Sequence, residues 1–374
     1  MWQSRFPVLL MKQLRCSSMS NQSELLNGAP VPLVEVWRGP IVESVHRGHL
    51  AAVDGSGKTI AELGSPEMVT YFRSSSKAFQ AIPVVTLGAA DSYGFTEKEI
   101  ALACGSHSGE PMHVETAQGM LDKIGLDESD LKCGAHEPFS VEVTHELIRT
   151  GQEPRTLQNN CSGKHAAMLA LAKHLGAPTA SYYEWEHPVQ QAVAKVVSQF
   201  CDMPIDQLKI GIDGCGVPVF GLPVRLMALG YARLVSPGES FDAPTRDACR
   251  RIVSAMIKFP EMIGGSKDRL DTELIKAGKG RLVSKIGAEG VYTVGVLPCA
   301  EWPKGLGLAL KIDDGDDRRA RPPAVIEALK QLNVLANDDL AALSEYAPIP
   351  ITNRRGEHVG EARAAFHLNI HGQR

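Results

Sequence analysis

Strand signals crowd the two ends of this chain and helical signals fill its middle, and that distribution limits the fold more than any single motif. Val31 to Trp37, Ile41 to Val53 and Lys58 to Leu63 are rich in β-branched residues, with Gly39-Pro40 and Asp54-Gly55-Ser56-Gly57 as turns between them. Helical patterns follow. Thr96-Glu97-Lys98-Glu99 is a capping box ahead of Ile100, Ala101 and Leu102. Val114, Ala117, Leu121 and Ile124 form a stripe that ends at Gly125, Lys164 to Leu175 is rich in Ala and Leu, and Pro188 opens a helix through Phe200. Strand signals return at Leu208 to Asp213, Gly290 to Val296 and Gly305 to Ile312. Pro322 to Leu332 reads as a helix after a charged loop from Asp313. The expected fold is α/β of the α+β kind: one antiparallel sheet from about 31–70 and 280–374, flanked by helices, with a helical region of about 74–260 inserted. Residues 31–374 would form one domain, with the active site at the junction of sheet and insertion.

Composition narrows the function classes. Hydrophobic residues make up 44% and charged residues 22% of the 374, as in soluble globular proteins. The net charge is −4 and no basic stripe stands out, which argues against nucleic acid as a partner. No apolar run approaches the roughly 20 residues of a membrane-spanning helix. Residues 1–30 differ from the rest: Met1 to Asn21 lacks acidic residues, and the apolar stretch Phe6 to Met11 is short for a signal core, with no Ala-x-Ala site after it. The segment reads as a disordered extension, or as an over-long start with Met11 or Met19 as initiator; a targeting peptide is the minor alternative. The eight cysteines are dispersed without a Cys-x-x-Cys pair, which favours reduced thiols and a cytoplasmic location.

The stretch that carries chemistry is Tyr71-Phe72-Arg73-Ser74-Ser75-Ser76-Lys77. A spacing of three places Ser74 and Lys77 about one helical turn apart on one face. A serine is a poor nucleophile at neutral pH unless a neighbouring base takes its proton, and a lysine serves if burial or a nearby cation lowers its proton affinity. Spacing alone is weak, since Ser129 and Lys132 share it in a polar run where both are solvated. Ser74 differs because Ala78, Phe79, Ala81, Ile82, Val84 and Val85 follow it.

Four further clusters have both a functional and a plainer reading. In Cys104-Gly105-Ser106-His107-Ser108-Gly109-Glu110, Ser106 relays protons or merely caps a helix. In Asn159-Asn160-Cys161-Ser162-Gly163-Lys164-His165, Cys161, Lys164 and His165 offer metal donors if Lys164 is neutral; otherwise Asn160 is an N-cap beside an inert thiol. In Gly211-Ile212-Asp213-Gly214-Cys215-Gly216, Asp213 can accept an ammonium group and Cys215 can join Cys161 at a zinc ion, or the segment is only a turn. Lys285 is either a second cation that depresses Lys77 or a surface lysine. The charged loop Gly264 to Thr272 lids the cleft or crosses the surface.

Arg73-Ser74-x-x-Lys77, Ser106-His107-Ser108-Gly109-Glu110, Cys161-Ser162-Gly163-Lys164-His165, Asp213-Gly214-Cys215-Gly216 and Lys285-x-Gly287-Ala288-Glu289-Gly290 stand in the order seen in class 3 L-asparaginases, the asparaginase II family. The resemblance runs from about Val31 to the C-terminus. It implies a serine β-lactamase- and glutaminase-like fold and two Ser–Lys pairs, Ser74 with Lys77 and Ser106 with Lys285. It also implies zinc on Cys161, Lys164 and Cys215, substrate contacts from Arg73, His165 and Asp213, and a homodimer acting on the small molecule L-asparagine. In that picture Lys77, kept neutral by burial and Lys285, deprotonates Ser74; Ser74 attacks the side-chain amide; ammonia leaves with a proton passed through Ser106; water then cleaves the ester. The rivals are a glutaminase, a β-lactamase-like serine hydrolase and, remotely, a non-enzymatic zinc or thiol protein built on Cys161 and Cys215.

Overall fold

The computed structural model describes residues 28–371; the expectations for residues 1–27 lie outside them. Both ends of the chain build one antiparallel sheet. Its strands are β1 (Val31–Arg38), β2 (Ile41–Asp54), β3 (Thr59–Leu63), β7 (Leu282–Ile286), β8 (Val291–Val296), β9 (Leu306–Ile312), β10 (Ile349–Thr352) and β11 (His358–Ala364), after β4 (Val69–Tyr71), β5 (Lys209–Ile212) and β6 (Pro218–Pro223) of a separate sheet. The order is β10-β11-β1-β2-β9-β8-β7, with β3 also on β2.

The long strand β2 ties the halves together. Its first half pairs with β1, and exposed and half-buried residues alternate there. Its second half pairs with β9 on one side and β3 on the other, and His49 to Val53 are all buried. That change marks where helices cover the sheet. The helix Val224–Val235 lies against β9 and β8 at a flat spot made by the register pair Gly295 and Gly307. A Cβ at Gly307 would stand 1.8 Å from Ala228 O, so a glycine is needed for helix and strand backbones to meet.

The expected inserted region is helical over most of its length, but the strand expected at Leu208 to Asp213 is β5 (Lys209–Ile212) of a second sheet whose other two strands the pattern did not reveal. Strands β4-β6-β5 form it, all antiparallel. The sequence hid those two because β4 has three residues and β6 begins and ends with proline. This small sheet matters for the site. Strand β4 delivers the chain to Arg73, and the β5–β6 hairpin turn holds Asp213 and Cys215, closed by Asp213 N–H to Val217 O (2.9 Å) and Gly216 N–H to Asp213 O (2.9 Å).

Candidate active site

A short 3₁₀ turn, Arg73–Ser76, runs directly into the buried helix Lys77–Thr86. Residues three apart eclipse in a 3₁₀ turn, so Ser74 and Lys77 share a side. Arg73 opens the turn with φ 51°, a left-handed value that costs a non-glycine residue about 1 kcal/mol or more. The turn is locked from below: Ser75 Oγ donates to Lys285 O (3.0 Å) and Tyr231 OH donates to Ser75 O (2.8 Å).

Ser74 lines a cleft of about 610 Å³ with Arg73, Asp213, Cys161 and Cys215. Arg73 Nε donates to Asp213 Oδ1 at 3.0 Å. Burial opposes the charge of Asp213, but Lys164 and Arg73 outweigh it and hold the carboxyl below its usual range. A cation and an anion therefore stand together beside the serine.

Beneath the cleft lie the other predicted residues. Lys77 Nζ donates to Gly105 O (2.5 Å), Ser106 Oγ (3.0 Å) and Asn160 O (3.1 Å), and it makes no hydrogen bond to Ser74. Lys285 Nζ reaches the same Ser106 Oγ at 2.8 Å. Ser106 is thus bracketed by two amines, buried and out of the cleft lining. Gly105 makes this approach possible, because a Cβ there would meet Met262 O at 2.2 Å. Ser106 N–H donates to Ile263 O (2.8 Å) and Arg269 Nη2 donates to Ser106 O (2.7 Å). The glycine-containing loop before Arg269 therefore anchors the relay serine, and Arg269 itself is half-buried.

Burial lowers the proton affinity of both lysines. For Lys77 the cation that adds to burial is Lys164, not Lys285. Lys285 is pushed down to about 7, by burial first, with Lys77 and Arg269 adding and Asp271 opposing. The influence expected of Lys285 on Lys77 is thus found acting from Lys77 on Lys285, and both amines are held below the usual lysine range.

Lys164 Nζ lies 2.8 Å from Cys215 Sγ. A hydrogen bond from Cys161 holds the Cys215 thiol well below its usual range, and the same contact, with burial, pushes Cys161 up to about 12. Burial works against the Lys164 charge, yet the sulfurs outweigh it and raise its proton affinity. Asn160 Oδ1, 3.0 Å from Cys161 Sγ, is the alternative acceptor for the single Cys161 thiol hydrogen. Among the described residues no three His, Cys, Asp or Glu side chains gather as a metal cage. The grouping of two sulfurs and one amine nevertheless fits a borderline-soft cation once the protons leave.

His165 does not line the cleft. It is buried, with Nδ1 at 2.6 Å from Tyr182 OH, whose oxygen also accepts from Lys132 N (2.9 Å). Burial, then Lys164, pushes it down to about 3, so it is neutral. Its Nε2 has no hydrogen-bond partner among the described residues.

Residues that sequence reasoning missed complete the cleft: His136, Glu137, Pro138 and Phe139 form one wall. A polar and aromatic loop containing proline was the available signal. His136 Nε2 accepts from Asn160 N (3.1 Å), which joins that wall to the segment bearing Cys161.

A family model described as L-asparaginase II matches residues 34–364. The chain belongs to the L-asparaginase II family. No curated protein matches it significantly. Among solved structures it is similar to a probable glutaminase from Bacillus subtilis complexed with 6-diazo-5-oxo-L-norleucine, at 12% identity, covering 77% of this chain and 85% of that one with a TM-score of 0.35. It is also similar to a β-lactamase from Burkholderia ambifaria, at 16% identity, covering 80% and 91% with a TM-score of 0.33. Likeness that distant adds nothing about chemistry. Membership of the family makes the chain an amidohydrolase, and no described helix is long and apolar enough to cross a membrane.

Proposed function

We propose that this amidohydrolase cleaves L-asparagine to L-aspartate and ammonia through a serine ester. The observation that carries the reading is the placement of Ser74 alone among the Ser–Lys residues at the cleft wall, between an Arg–Asp pair and a buried amine–hydroxyl–amine chain. Asparagine brings an α-carboxylate, an α-ammonium and an amide. Arg73 spends Nε on Asp213 and keeps its terminal nitrogens for the carboxylate; Asp213 keeps Oδ2 for the ammonium.

Ser74 is the nucleophile and Lys77 its base. Before substrate binds, Lys77 is turned to Ser106, and such catalytic hydrogen bonds commonly tighten only in the substrate complex. Lys77 then takes the Ser74 proton, and Oγ adds to the amide carbon. The backbone N–H groups of Ser74 and Ala288, at the cleft wall, are assigned to the oxyanion. The proton reaches the departing amine from Lys77, which Ser106 links to Lys285. Water, activated by the same base, cleaves the ester and restores Ser74.

Cys161, Lys164 and Cys215 would hold a zinc ion, and when bound it would supply a fixed positive charge beside the nucleophile or brace the hairpin.

The test is ammonia release from asparagine and glutamine by purified protein and by S74A. Turnover lost in S74A with thermal stability kept supports the reading; ammonia release retained in S74A refutes it. The two substrates differ by one methylene, which a pocket discriminates by only about 1–3 kcal/mol, so the specificity constants are measured side by side. A higher constant for glutamine would make the chain a glutaminase. Thiol reactivity tied to redox state, with no amide hydrolysed, would return the non-enzymatic reading.

A further inference from the structure

Asp271 plays no part in the relay as described, yet it lies against it. It sits in the first turn of the helix Leu270–Ala277 and is 2% exposed. Neither carboxylate oxygen has a hydrogen-bond partner among the described residues. Its ion-pair partner is Lys285, with Oδ2 at 3.9 Å from Nζ and Lys285 fully buried. Tyr292, across the sheet, donates its hydroxyl to Ser284 Oγ (3.1 Å). A buried carboxylate without donors is expensive to keep and persists where a cation compensates it.

Titratable groups face Lys285 from several elements. Lys77 faces it from the helix Lys77–Thr86, Arg269 from the preceding loop, Cys161 from the head of the helix Ser162–His174 and Cys104 from the end of the helix Glu97–Cys104. Asp271 also acts on Arg321 and Tyr292. Lys77 and Arg269 disfavour the Lys285 ammonium, and Asp271 is the strongest influence in its favour.

We propose that Asp271 is a positioning residue which, acting through Lys285, sets the direction of the hydrogen bond between Lys285 and Ser106. This rests on the hydrolase reading above. When Lys285 carries its proton, Nζ donates to Ser106 Oγ and the serine hydrogen is free to point at Lys77. When Lys285 is neutral, Ser106 O–H donates to Nζ and Oγ accepts from Lys77. The bond order is unchanged and only the hydrogens turn over. The Asp271 carboxylate favours the first arrangement, so it fixes the pH at which the relay reverses.

The pH profile of kcat/KM tests this in D271N and D271E. An opposite charge at this range moves a titration by about 1–3 pH units, so the acid limb of D271N should lie lower by that amount while D271E stays near the wild type. A limb that is unmoved, or moved upward, overturns the proposal. A second measurement reads the pairing without activity. At about pH 6, where Lys285 holds its proton, K285M strands the carboxylate, and D271N/K285M should recover part of the lost Tm. A double variant no more stable than K285M overturns the pairing, including where D271N alone fails to fold. If the wild type hydrolyses neither amide, the functional reading fails, and the stability comparison still decides whether Asp271 and Lys285 are coupled.

Discussion

Moving the enzyme from about pH 8 to about pH 6 should lower kcat/KM roughly tenfold through Lys285 alone. The magnitude follows from where that amine sits. It is fully buried at the end of the relay, 2.8 Å from Ser106 Oγ, with its midpoint pushed down to about 7 by burial and by its cationic neighbours. About one unit above the midpoint roughly nine in ten copies are neutral, and about one unit below it roughly one in ten. If the working relay requires the neutral amine, the rate tracks that fraction with unit slope. The assay is direct ammonia determination on quenched time points, with substrate well below KM. K285R supplies the control, because a guanidinium keeps its charge throughout; it should be slower by about 10²–10⁴-fold at every pH and show no limb of this origin. A wild-type profile that is flat between about pH 6 and pH 8 refutes the requirement for a neutral Lys285. The same group makes a stability prediction. Its folded midpoint, about 7, lies below the ordinary lysine value of 10.5, so between those values the unfolded chain binds more protons. Stability should therefore rise with pH across that window, with the burial cost complete below it, and K285M should lose that component. Thermal melts of the two proteins across the window check the sign.

The charged pair at the cleft and the sulfur–amine group give two more expectations. R73K removes the fork that remains for a carboxylate while keeping a charge near Asp213, and should raise KM roughly 10- to 100-fold with a smaller effect on kcat, measured by initial rates. C215S removes the thiolate 2.8 Å from Lys164, and should lower the zinc retained after dialysis to near zero by elemental analysis; zinc content equal to the wild type would refute the donor assignment.

The clearest sequence signals were those that act locally. Strands β1, β2 and β3 fall within a residue or so of their expected bounds because β-branched runs and glycine turns write them directly. The capping box at Thr96 forms as read, with Thr96 Oγ1 accepting from Glu99 N and the Glu99 carboxylate accepting from Thr96 N. Of the small sheet only β5 was legible, since three-residue β4 has no periodicity to detect and its partner β6 lies about 150 residues away. Arg269 and Asp271 escaped for a related reason. They stand in a stretch whose charges and glycines read as a lid or a surface loop, and only contacts with Ser106 and Lys285 reveal that Asp271 is buried and Arg269 half-buried.

By itself the sequence determined which chemical types this protein owns: a serine three residues before a lysine, an arginine and an aspartate for a zwitterion, two cysteines and an amine, and strands at both ends. Residue type and short spacing are local properties, so composition and periodicity express them. The tertiary structure alone decided which serine meets the solvent and how far burial lowers the proton affinity of the amines beneath it. Exposure and proton affinity depend on everything packed around a group, here the helix Leu270–Ala277 and strand β7 brought up beneath Ser106, and no stretch of neighbouring residues encodes that.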